Sequence, residues 1–332
     1  MFQIDTNRRD LFKDWFIWSI KYKDCDPAIW LTNYIFNRYE FNIEQRYWLV
    51  WLYGNTYNYP TAFLIWNEFP DFELASKERI TSWNNENYSR LRYQTDTKYN
   101  KGHLSSMFDS YAKFIQQDQH TTFSNLLIDS PEENFHRLNR EVIEKFYKFG
   151  RYTAWFYLQS LKHCCNLNIE PNTLFLNNHS GSRSHRNGLL LSLGLDDLYD
   201  KSLSAREYEW LEKEAYEIMK EVRESVNSSD VDLFSMETCL CSYKKIFREK
   251  NSRYLGYYLD RQSEEIMNIE NDGWKGIEWD VLWQARQETL DKRLNGRNKI
   301  NKMKFGEYVK NCSLDRMNWV KEQKLVGLEN FI

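Results

Sequence analysis

Glycine and proline are scarce in this chain, at 12 and 5 of 332 residues. Both residues punctuate structure, so their scarcity favours long helices over a turn-rich β architecture. Cysteine is sparse and poorly spaced. Cys239-x-Cys241 and adjacent Cys164-Cys165 lack the spacing of zinc ligands, and Cys25 and Cys312 stand apart. The expectation is a set of reduced thiols serving as small buried hydrophobes. Residues 1–10 are polar and charged and contain no signal-peptide core. No run of 18 apolar residues occurs, so no membrane span is expected and the default location is the cytoplasm. An excess charge is missing too. Lys and Arg number 45 against 48 Asp and Glu, a formal net charge of −3. A polyanion would therefore have to be met by local basic surface, since bulk charge offers no attraction. The chain has no GxxxxGK[ST] loop, no GxGxxG after a strand, no HExxH helix and no GxSxG elbow. These absences argue against P-loop phosphoryl transfer, dinucleotide binding, zincin chemistry and a serine-hydrolase elbow.

What the chain has in excess is aromatic side chains, 17% of residues. Many must build a core, since their burial is the main driving force available. Residues 10–70 read as several aromatic-rich helices. The pair Gly54-Asn55 predicts a bend or a junction there, with Pro60 in the first turn of the next helix. Residues 82–102 read as a polar, irregular segment. Ser130-Pro131-Glu132-Glu133 and Ser204-Ala205-Arg206-Glu207 are capping boxes that predict helix starts. Behind the second, Tyr208, Leu211, Ala215, Ile218 and Val222 recur at three- and four-residue steps, a strong amphipathic pattern. Further helices are predicted at 234–247, around 254–267 and at 279–286. No repeat or low-complexity linker interrupts the pattern. The reading is an all-α protein with a single large helical domain, residues 292–332 being a basic C-terminal extension.

The segment Ser180-Gly181-Ser182-Arg183-Ser184-His185-Arg186-Asn187-Gly188 is the densest in chemistry. Small residues permit close backbone approach, arginine forks hold phosphate oxygens, and histidine moves protons near neutrality. It suits an anionic, phosphate-bearing ligand; the alternative is a plain polar loop ahead of a helix that starts near Leu189. Glu237, Cys241 and Lys244 share one helix face at i, i+4 and i+7. Arg183 and Arg186, with Lys244, Arg261 and Arg151, suit an anionic leaving group such as pyrophosphate. His185, Glu237 and Asp260 suit proton transfer from an attacking amine, and the residues alone do not choose among them. Each acid could equally be structural. Residues 292–304 hold Arg297 and Lys299 among six basic residues and no acid, a candidate phosphate-backbone contact.

Four segments together resemble a family. They are Tyr53-Gly54-Asn55-Thr56, Ser184 to Gly188, Glu237 to Lys244 and Tyr254 to Arg261. They look like those of the bacteriophage alpha-glutamyl/putrescinyl thymine pyrophosphorylases, also called amino acid:DNA transferases, over about residues 30–290. The resemblance implies a helical fold akin to the DNA glycosylase superfamily. It implies double-stranded DNA as partner, carrying 5-(pyrophosphoryloxymethyl)uracil. It also implies transfer of an amine, from a free amino acid or polyamine, onto the thymine methyl carbon with release of pyrophosphate, inside an infected host cell. Base flipping onto exposed aromatics would present the modified base, and Asn55, Tyr57, Asn187 and Tyr257 are candidate contacts. No resident cofactor or metal is expected, although Mg²⁺ could accompany the pyrophosphate. A DNA glycosylase, or a non-catalytic DNA-binding component of a modification complex, remains as the alternative.

Overall fold

The computed structural model describes residues 2–178, 183–247 and 255–290. Every regular element among them is helical, so the protein is all-α. The helices are α1 (Thr6–Lys21), α2 (Pro27–Arg38), α3 (Ile43–Thr56), α4 (Tyr59–Glu68), α5 (Lys77–Asn87), α6 (Leu104–Phe114) and α7 (Gln119–Ser124). They continue with α8 (Pro131–Lys145), α9 (Arg151–Cys165), α10 (Ser184–Ser192), α11 (Ala205–Val226), α12 (Leu233–Tyr243), α13 (Tyr257–Asn271) and α14 (Trp279–Thr289). Contacts divide the chain into two compact units, each discontinuous in sequence. The first holds residues 1–27 and 172–261; the second holds 28–171 and 262–290. The basic run with Arg297 and Lys299 lies outside the described residues, as do Ser180 to Ser182 and Tyr254.

In the second unit, α3 is buried from Tyr47 to Thr56 and carries the core. Trp48 stacks on Trp51 at 5.1 Å, and Trp51 on Tyr111 at 4.9 Å. The expected junction at Gly54-Asn55 is absent: α3 runs through both residues and turns only at Tyr57, in a left-handed conformation. The glycine serves a close approach instead. A Cβ on Gly54 would stand 2.9 Å from the Tyr157 ring on α9. Pro60 does occupy the first turn of α4. The supposedly irregular stretch from residue 82 is helical as far as Asn87, because Ser76 caps α5 through the Arg79 N–H. The segment after it turns inward. Asn100 donates to the Asn55 carbonyl at 3.1 Å and Thr97 to the Thr56 carbonyl at 2.6 Å. Carbonyls at a helix end otherwise lack partners.

In the first unit, α1 packs against α10, α11 and α12, and α10 packs against α12. Both sequence-read capping boxes form, at Ser130 before α8 and at Ser204 before α11. A third one, Asp232 with Ser235, opens α12 from a fully buried position. Arg9 grips Glu221 on α11 with two bonds, at 2.9 and 2.5 Å. Asp24 is buried, and its carboxylate accepts the N–H groups of Gly256 (2.8 Å) and Leu259 (3.0 Å) where α13 begins. A negative charge there also meets the favourable end of the helix dipole.

The segment from Ser184 to Gly188 is not a loop; it is the first part of α10. Gly188 explains the tolerance. A Cβ there would lie 2.2 Å from the Leu240 carbonyl oxygen on α12, so only glycine allows the two helices to cross this closely. Alanine gains about 1 kcal/mol of helix propensity over glycine. Gly188→Ala nevertheless is expected to lose about 3 kcal/mol, since a backbone carbonyl cannot swing aside. Gly54→Ala should lose less, because the Tyr157 side chain can move. Urea denaturation midpoints for the two variants check this, and equal losses would contradict the crossing as described.

Candidate active site at the crossing of two helices

Gly188 and Leu240 mark the crossing, and the residues three positions earlier on each helix are His185 and Glu237. One helical turn therefore carries the imidazole of α10 to the carboxylate of α12. His185 Nδ1 stands 3.6 Å from Glu237 Oε1, and both side chains are buried, at 2% and 8% exposed. His185 Nε2 lies 3.1 Å from the Leu174 carbonyl. A carbonyl only accepts, so Nε2 carries the hydrogen and Nδ1 is the nitrogen turned towards Glu237. Cys241, one turn along α12, donates its S–H to the same Oε1 at 3.4 Å. Burial pushes the Cys241 thiol up, and the Glu237 charge adds to that shift; Ser184, Lys245 and Lys244 pull it back less strongly.

Two positive groups lie on these helices. Lys244 is 7% exposed and follows the last turn of α12. Arg186 is 1% exposed, next to His185 on α10. Its Nη1 donates to the Tyr208 hydroxyl at 3.0 Å, and its Nε and Nη2 share the Asn187 amide oxygen at 3.4 and 3.2 Å. None of these partners is a carboxylate. The charge is offset one step away, where Asn187 donates to Asp200 Oδ1 at 2.5 Å. Arg186 is thus a buried positive charge on the helix that carries His185, its nitrogens bonded to Tyr208 and Asn187. Arg183 is half-buried at the start of α10 and donates to the Asp200 carbonyl at 3.2 Å. Asn187 is buried and engaged in this network.

The other sequence candidates are placed as follows. Asp260 is fully buried in the first turn of α13. Arg261 stands 5.2 Å over the Tyr258 ring, and Tyr257 packs edge-on to Tyr258. Arg151, Asn55 and Tyr57 belong to the second unit. Asn55 is fully buried and donates to the Trp51 carbonyl, a tie within α3 that leaves no surface for a base. Tyr57 stacks on Phe156 at 4.1 Å. Sequence reasoning set Cys241 on the face of Glu237 but gave it no role. Tyr208, Asp200 and Glu212, which complete the surroundings, were missed because nothing local in sequence links them to His185.

His185, Glu237 and Cys241 also form the group of metal-ligating side chains among the described residues, with donor atoms within 4.8 Å of one another. In kind they suit a zinc-class cation. Lys244 and Lys245 act electrostatically on Cys241, and their positive charge opposes a further cation beside it.

The model of the amino acid:DNA transferase family matches residues 6–251, most of the chain. The protein belongs to that family. It is 29% identical over 261 residues to a protein of Salmonella phage ViI named serinyltransferase, a match covering 74% of this chain. The chain spans 63% of that relative's length. No solved structure matches it. No described helix is long and apolar enough to cross a membrane. The described cysteines are free thiols, four of them buried.

The cluster can be read without turnover. Among the described cysteines Cys241 is the one not buried, yet its raised thiol pKa should keep alkylation by iodoacetamide slow near neutral pH. Glu237→Gln removes the neighbouring charge and should speed that alkylation several-fold. Mass spectrometry of the modified peptide checks it; an unchanged rate would separate Cys241 from Glu237.

Proposed function

We propose that this protein joins an amino acid to thymine in DNA. The amine attacks the methylene carbon of 5-(pyrophosphoryloxymethyl)uracil, a C–N bond forms, the C–O bond breaks, and pyrophosphate leaves with the bonding pair. One proton is released from the nitrogen. The observation that carries the reading is the facing pair His185 and Glu237. With Nε2 bearing the hydrogen, His185 Nδ1 and the Glu237 carboxyl face each other at 3.6 Å. A proton taken up there is held between the imidazole and the carboxyl. The pair therefore acts as the base that takes the amine proton. Lys244, Arg183 and the buried charge of Arg186 stabilise the negative charge growing on the leaving pyrophosphate. Arg261 is a further candidate for that role, and Tyr57, Tyr257, Arg297 and Lys299 for contacts to DNA. Asp260, fully buried, supports the start of α13. Membership of the amino acid:DNA transferase family supports an amino acid over a polyamine as donor. Serine is the first donor to test, given the name of the phage relative. No resident cofactor is required, and Mg²⁺ accompanies the pyrophosphate. The setting is the cytoplasm of an infected host.

The test is incubation with duplex DNA carrying the activated base and single amino acids or putrescine, followed by nucleoside mass spectrometry and pyrophosphate release. The expected result is a nucleoside heavier by the donor residue, with one pyrophosphate per transfer. An abasic product would establish a glycosylase instead, and unchanged base a binding role. Glu237→Gln should lower kcat by about 10²–10³ while leaving DNA affinity unaltered. Full activity in that variant would remove Glu237 from the chemistry.

A further inference from the structure

We propose that Glu212 is a positioning residue, which sets the tautomer of His185 by holding the backbone on which the imidazole leans. The inference rests on the reading of His185 and Glu237 as the proton-accepting pair. Glu212 lies on α11, far from that pair in sequence. Its two carboxylate oxygens accept the N–H groups of Leu174 (2.8 Å) and Leu176 (2.7 Å). The residue between them, Phe175, has a φ of 52°, a left-handed conformation that a bulky side chain seldom adopts. Two N–H groups flanking such a residue form a concave nest that closes on an anion. Thr173 adds a side-chain hydrogen bond to the same carboxylate. The carbonyl of Leu174, whose N–H Glu212 holds, is the acceptor for His185 Nε2 at 3.1 Å. One carboxylate thus fixes a kinked segment, and that segment fixes where the imidazole keeps its hydrogen.

A carboxylate is required for this. It offers only acceptors, and both N–H groups point at them. A glutamine at 212 would set an NH₂ group against one of those N–H groups and loosen the kink. The partner of one histidine nitrogen decides the protonation of the other. Without the Leu174 carbonyl in place, the hydrogen can move to Nδ1 and point at Glu237. It would then fill the place that the amine's proton must take.

The test uses full-length protein labelled with ¹⁵N in histidine, with His185 assigned by its loss in His185→Gln. Ring nitrogen shifts near pH 8 should give the Nε2–H form in the unaltered protein. In Glu212→Gln, a fraction of Nδ1–H should appear. In the transfer assay kcat should fall about tenfold, with KM for amino acid and DNA unchanged within about twofold. An unchanged tautomer would overturn the proposal, whether or not activity and thermal stability decline, since that is the signature of a structural role alone. If Glu212→Gln does not fold, Thr173→Val removes the hydroxyl's bond to Glu212 together with the one it accepts from the Phe175 N–H at 3.0 Å, and should shift the same ring signal in the same direction; no shift there would equally overturn it. The ring measurement needs no substrate, so it separates failure of this inference from failure of the transfer reading.

Discussion

The closeness of α10 to α12 is the constraint on which the site depends. With no side chain at Gly188, the Leu240 carbonyl can sit where a Cβ would otherwise stand. Any wider separation would draw His185 away from Glu237, because both extend from the turn beside the crossing. The crossing is held from several sides. Asp232 and Ser235 cap the start of α12, and Trp15 of α1 donates to Ser242 near its end at 3.3 Å. Tyr208 of α11 meets Arg186 of α10. Most of the first unit's packing therefore converges on one helix pair.

That pair is charged in an unusual way. Buried ionisable groups are expensive unless matched. Here a carboxyl group faces an imidazole nitrogen and takes a thiol hydrogen, while among the described residues an arginine on the same helix as the imidazole bonds to the neutral oxygens of Tyr208 and Asn187. A purely structural core would neutralise these groups directly. The proposed transfer needs a base, and the facing imidazole and carboxyl are placed to supply it.

Helix starts were the most legible feature of the sequence. Ser130 and Ser204 form their boxes, because capping depends on residues three apart. The i, i+4 relation of Glu237 and Cys241 was equally readable and is realised as a bond. Glycine was the weak point. Gly54 reads as a bend and Gly188 as a small residue beside a ligand, yet each sits within a helix that packs against another, which only tertiary structure reveals. The loop read before Leu189 is helical for the same reason. Arginine roles were also hard to foresee. Arg186 carries the right chemistry for phosphate, but its burial commits its nitrogens to Tyr208 and Asn187. Asp24 and Glu212 escaped notice because each binds backbone N–H groups far away in sequence, which leaves no local pattern.

The claim that His185 and Glu237 act as one proton acceptor is tested most directly by a double-mutant cycle on kcat of transfer, using His185→Gln, Glu237→Gln and the pair together. Residues that work as a unit are strongly non-additive. The double variant should be no slower than the slower single variant, to within about a factor of three. Losses that multiply would show two independent contributions and contradict the paired base.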